Sequence, residues 1–139
     1  MDASVAIKWL IPEDDQPRAL YIRQSYQEGA LHVIAPGLIT AEIGNVLWKY
    51  AMRGLLTAAD ADRALARFQQ DSPILKDSPS LNATALRLAL RYRRTFSDSL
   101  YLALAMLHQC DLITADERLV RSMQPAFPSV HLLREYVSA

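Results

Sequence analysis

Residues that staple or specially shape a small protein are scarce in this chain. A single cysteine, Cys110, rules out an internal disulfide and suits a reducing compartment. Lying beside a hydrophobic segment, it reads as a small core residue. Four glycines in 139 residues leave no glycine-rich phosphate loop and no nucleophile elbow, so the common nucleotide-binding and serine-hydrolase readings fall away. The three histidines, His32, His108 and His131, lack the spacing of a zinc site. No apolar run exceeds Leu100–Leu107, far short of the roughly 20 residues that cross a bilayer. The acidic Met-Asp opening has none of the basic character of a secretory signal, and a cytoplasmic protein is expected. Net charge is also missing: 15 basic residues balance 15 acidic ones, so composition by itself does not point to nucleic acid. Phosphate contacts depend on local clustering, however, and neutrality does not exclude them.

What is present is enough apolar material for a core. Hydrophobic residues make up 51% of the chain and charged residues 22%, which suits one soluble domain over residues 1–139. Turn signals cut the sequence into short pieces. Ala3–Ile11 is apolar and halted by Pro12. Arg18–Glu28 reads as a helix stopped by Gly29, and His32–Ala35 as a strand ended by Pro36. In Gly37–Arg53, Ile39, Ile43, Val46, Leu47 and Tyr50 recur at helical spacing. Thr57 is placed to cap a helix that continues over Ala61–Gln70. Ile74-Leu75 suits a short strand, and Leu81–Arg94 and Ser97–Gln109 suit helices, the second apolar all round from Leu100 to Leu107. Asp111–Ala115, Asp116–Met123 and Val130–Leu133 complete the order as strand, helix, strand. Strands separated by helices predict an α/β domain with a central parallel sheet flanked by helices.

Four acidic residues sit where a purely structural chain favours neutral ones. Asp2 precedes an apolar segment. Glu42 lies within the strongest apolar stripe, about 60° from Ile39 and about 40° from Val46, on the core side of its helix. Asp98 opens a helix, and Asp116 joins a strand to a helix. Capping explains Asp98 and Asp116 taken singly, and solvation explains Asp2. Glu42 is harder to dismiss, because Glu is almost never buried without a partner. In an open α/β sheet, strand ends share one edge, and ligands bind there. Four carboxylates gathered at that edge repel one another, and a hard divalent cation, Mg²⁺ or Mn²⁺, relieves the repulsion.

The segments around these acids are recognisable. Asp2-Ala3-Ser4-Val5-Ala6-Ile7-Lys8-Trp9, Thr40-Ala41-Glu42-Ile43-Gly44-Asn45-Val46-Leu47-Trp48, Ser97-Asp98-Ser99-Leu100-Tyr101-Leu102-Ala103-Leu104-Ala105 and Ile113-Thr114-Ala115-Asp116-Glu117-Arg118-Leu119 occur in order. Together they resemble the four motifs of the PIN-domain family, and within it the VapC-type toxins of prokaryotic toxin–antitoxin modules. The resemblance implies a three-layer α/β/α fold and metal-dependent cleavage of RNA, with Asp2, Glu42, Asp98 and Asp116 as the catalytic and metal-holding quartet. It further implies a homodimer and a cognate antitoxin that covers the site. One departure stands out: family members carry an apolar strand before the first aspartate, and only Met1 precedes Asp2 here, so either the chain is shortened at its start or a leading segment is omitted from it. The expectation is that Asp2 is less firmly placed and that its neighbouring α-amino group competes with a cation.

For the chemistry, Asp2 and Asp98 are expected as direct ligands, with Glu42 and Asp116 binding a second ion or holding metal waters. Ser4, Asn45 and Thr114 are candidates for hydrogen-bonding support, with turn or capping roles as the alternative. Arg91, Arg93 and Arg94 form a basic cluster suited to RNA phosphate, the alternative being solvated arginines at a helix end. Lys8, Lys49, Arg53 and Arg118 are expected at the rim; Trp9, Trp48 and Tyr50 in the core or a dimer interface. Two rival readings remain: a binding module of the same fold that does not cut, and a structural domain whose acids only cap helices.

Overall fold

The computed structural model describes residues 1–136. Asp2, in extended backbone, accepts from the N–H groups of Ser4 and Val5 and so starts α1 (Ala3–Ala6), which tightens into a 3₁₀ turn over Ile7–Trp9. The apolar opening stretch is therefore helical and buries Val5, Ala6, Ile7 and Trp9. Helix α2 (Gln16–Gln27) carries Pro17 in its first turn, where the missing N–H costs nothing, and ends before Gly29 at φ 77°. Strand β1 (Ile34–Ala35) meets Pro36 and gives way to α3 (Leu38–Met52), whose Ile39, Ile43 and Leu47 form the buried stripe. Thr57 caps α4 (Ala58–Gln70) by accepting from the Asp60 N–H. After β2 (Ile74–Leu75), Ser78 and Pro79 open α5 (Pro79–Tyr92). The order closes with α6 (Phe96–His108), β3 (Leu112–Thr114), α7 (Glu117–Met123) and β4 (Val130–Leu132).

The expected α/β class with parallel strands holds. Among the described residues the strands form two parallel pairs, Ile34 opposite Ile74 in one and Leu112 opposite Val130 in the other. Between the pairs runs a groove of about 330 Å³, bordered by Met1, Ile22, Val33 and Ile34 on one side and Asp111 and Ile113 on the other. One backbone bond reaches across at the amino terminus, from Asp2 N–H to the Ile113 carbonyl at 3.1 Å. That bond, with the cap on α1, holds Asp2 firmly.

The core joins both halves: Val5, Ile39, Ile43, Phe68, Leu102, Leu112, Leu119, Met123, Val130 and Leu133 are almost wholly enclosed. Each such side chain contributes roughly 1.5–3 kcal/mol by leaving water. Helices α5 and α6 form the most extensive helix pair. The apolar run of α6 is buried through Ala105, but Met106 and Leu107 are exposed, so its expected all-round burial is corrected at the last turn. Cys110 is also exposed, against its expected place in the core. It follows Gln109, whose left-handed backbone (φ 50°) ends α6 and turns the chain outward. No helix among the described residues is long and apolar enough to cross a membrane.

Candidate active site

The carboxyl end of β3 is the organising point. Thr114, fully buried as the last residue of β3, donates from Oγ1 to Asp2 Oδ2 at 2.5 Å and accepts from the Asp116 N–H at 3.0 Å. Ser4 Oγ donates to Asp2 Oδ1 at 2.6 Å and accepts from the Ala115 N–H at 2.8 Å. These two hydroxyls fasten the start of α1 to the end of β3, and Asp2, only 6% exposed, lies between them. Burial pushes the Asp2 carboxyl above its ordinary value, opposed by the Ser4 and Thr114 hydrogen bonds, the nearby α-amino group and the Val5 N–H. Burial equally holds the Met1 amino group below its ordinary value, against the pull of Asp2.

Asp116 Oδ1 accepts from the N–H groups of Arg118 at 2.8 Å and Leu119 at 3.2 Å, so the capping role expected of it is real. Its other oxygen is left for a second partner. Asp98 does not cap α6. Thr95 does, taking the Asp98 N–H at 3.1 Å, which places Asp98 in the first turn with its side chain released from capping. Arg94 links these two acids: one guanidinium nitrogen, Nη2, lies 3.0 Å from Asp98 Oδ2 and 3.5 Å from Asp116 Oδ2. Glu42, half-buried on α3, accepts from the Tyr101 hydroxyl at 2.5 Å. Its carboxyl is pushed up by burial and by the charges of Asp2 and Asp98, while the Tyr101 hydrogen bond acts downward. Tyr101 stands one turn after Asp98 on α6, and its own phenol is pushed well above the usual range by burial and by Glu42.

A continuous set of contacts therefore connects four acids from four elements: Glu42 through Tyr101 to α6, and Asp98 through Arg94 to Asp116, Thr114 and Asp2. Each carboxylate is turned to a protein donor, and among the described residues no three His, Cys, Asp or Glu groups close around a single point. In donor type, the four acids suit a hard divalent ion. All four acids offer oxygen, Asp2 and Glu42 are driven toward protonation by burial, and a guanidinium stands in for a cation between Asp98 and Asp116.

Of the supporting residues, Ser4 and Thr114 are in place, whereas Asn45 is exposed one turn beyond Glu42. Arg91 and Arg93 are exposed, and the Arg91 guanidinium lies 5.6 Å from the centre of the neighbouring Tyr92 ring. Lys8 is corrected from rim to interior: it is buried and paired with Glu13 at 3.0 Å. Lys49, Arg53 and Arg118 are exposed. Trp9 is a core residue whose Nε1 donates to the Ala19 carbonyl, Tyr50 packs on the core and donates to Glu13, and Trp48 is exposed. Two participants were not singled out in the sequence for what they do here. Tyr101 had a legible signal, its place three residues after Asp98 on the same helix; the reach of Arg94 into the acids had none.

Comparison with known proteins finds relatives that match most of the chain. The family model described as PIN domain matches residues 1–122. The chain is 32% identical over 121 residues to Ribonuclease VapC3 of Pyrobaculum aerophilum, covering 86% of this chain and 89% of that protein. It is 33% identical over 133 residues to Ribonuclease VapC3 of Mycobacterium tuberculosis, covering 96% and 90%. The crystal structure of PAE2754 from Pyrobaculum aerophilum superposes with a TM-score of 0.68 at 28% identity, covering 96% of this chain and 88% of that one.

Proposed function

This chain belongs to the PIN-domain family, and from that premise we propose that it is a metal-dependent endoribonuclease, the toxin of a toxin–antitoxin pair. The observation that carries the proposal is the contact path joining Asp98, Arg94, Asp116, Thr114 and Asp2 beside the end of β3, with Glu42 held through Tyr101 to the helix that carries Asp98. The ribonuclease names of relatives matched over most of their length support it.

In this reading Asp2 and Asp98 would hold Mg²⁺ or Mn²⁺ directly, and Glu42 and Asp116 would bind a second ion or fix its waters. Such an ion would supply charge stabilisation at a phosphoryl oxygen and a water of lowered pKa. The chain's own groups do the positioning. Ser4 and Thr114 fix both oxygens of Asp2, so that its carboxylate loses no freedom on binding. Tyr101 supports the ionised form of Glu42 against its burial. Arg91 and Arg93, exposed at the end of α5, attract the RNA phosphates. The active protein is proposed as a cytoplasmic homodimer, silenced by an antitoxin protein that covers the acids.

A second reading, an RNA- or protein-binding module that does not cut, is favoured by one observation: the acids are individually partnered, with Arg94 already between two of them. Incubating the chain with single-stranded RNA and Mg²⁺ or Mn²⁺ separates the two. Cleavage that EDTA stops, and that Asp98→Asn removes while the circular dichroism spectrum is kept, supports the nuclease. RNA retained but uncut by the metal-loaded protein supports the module.

A further inference from the structure

Arg94 occupies the place a cation would take. Its Nη2 touches carboxylate oxygens of Asp98 and Asp116, which come from different elements and are brought together at this point. The side chain is four-fifths buried, at 20% exposure, so this is not a loose surface pair. We propose that Arg94 is a built-in competitor of the divalent ion: its guanidinium neutralises Asp98 and Asp116 in the metal-free protein and must withdraw for an ion to bind. The inference rests on the proposed metal-dependent reading of these acids.

Three features support it. A guanidinium and a hard dication seek the same carboxylate oxygens, and two positive groups held at one point repel each other. The Arg94 Nε is buried with no hydrogen-bond partner, so the bridged position leaves one of its donors unsatisfied. The backbone need not move, either. Arg94 lies in the short connection between α5 and α6, fixed by its own N–H to the Ala89 carbonyl at 3.2 Å and preceded by Arg93 at φ 53°. Rotation of a long, flexible side chain suffices.

The test is calorimetric titration of Mn²⁺ into the metal-free protein at fixed ionic strength, for the unmodified chain, Arg94→Gln and Arg94→Lys. Removing the guanidinium is expected to tighten Mn²⁺ binding about tenfold, close to 1.4 kcal/mol. Lysine keeps the charge and is expected to stay near the unmodified value. Equal or weaker binding by Arg94→Gln overturns the proposal while leaving the metal site intact. Absence of binding in all three overturns the metal-dependent reading and this inference with it. Should Arg94→Gln fail to fold, the unmodified protein decides the matter through the arginine Nε–Hε NMR signals. One of them is expected to shift with Mg²⁺ in step with saturation, and none shifting overturns the proposal.

Discussion

Replacing Thr114 with valine isolates the contact on which the acidic site is built. Valine keeps the shape of the side chain and removes the hydroxyl, which is fully buried and serves two partners. Losing the donor to the Asp2 carboxylate costs about 1.5–3 kcal/mol, and leaving the Asp116 N–H unpaired adds about 1 kcal/mol. A total near 3 kcal/mol is expected. For a chain of 139 residues, unfolding entropy near 0.3 kcal/mol per kelvin converts this to about 10 °C in Tm. The loss depends on pH. Burial holds the folded-state pKa of Asp2 above its unfolded value, so its contribution is fully favourable below the unfolded value. That contribution is lost as pH rises through the folded one. Because the Thr114 hydrogen bond acts downward on that pKa, its removal raises the pKa further. The deficit of Thr114→Val is therefore largest at neutral pH and shrinks in acid, where Asp2 is protonated in both proteins. Urea unfolding followed by circular dichroism, in EDTA at pH 7.5 and in mild acid, measures both. A deficit under 0.5 kcal/mol at pH 7.5, or one that grows in acid, refutes the reasoning.

Asp2→Asn removes a buried charge, so it is expected to raise Tm in EDTA yet lose the stabilisation that Mn²⁺ gives the unmodified chain, about 2.7 kcal/mol at one hundred times Kd. Equal Mn²⁺ stabilisation of both proteins removes Asp2 from the ligand set. Tyr101→Phe deletes the hydroxyl that supports ionised Glu42 and is expected to move the acid limb of the cleavage pH profile upward. An unmoved limb counts against a catalytic Glu42.

The helices were legible because their caps and stripes are local. Thr57 and Gly29 set element ends, and the Ile39, Ile43, Leu47 spacing fixed the buried face of α3 and with it the inward lean of Glu42. Asp116 reads correctly as a cap because a strand end followed by a helix start needs one. For Asp98 the capping alternative does not hold, since Thr95, three residues upstream, meets that need with a hydroxyl. Lys8 and Arg94 were not legible for a shared reason. Where a lysine stem or an arginine head points depends on partners outside its own helical turn, Glu13 beyond the opening helix and Asp116 beyond α6, and periodicity carries no such information.

The central claim is that the four acids share one divalent ion or one pair of ions. Anomalous diffraction at the manganese edge, from crystals soaked in Mn²⁺, tests it directly. The account predicts density bounded by Asp2, Asp98 and Asp116, with Glu42 facing it and the Arg94 guanidinium turned away. Manganese found only elsewhere, with Arg94 still seated between Asp98 and Asp116, contradicts it.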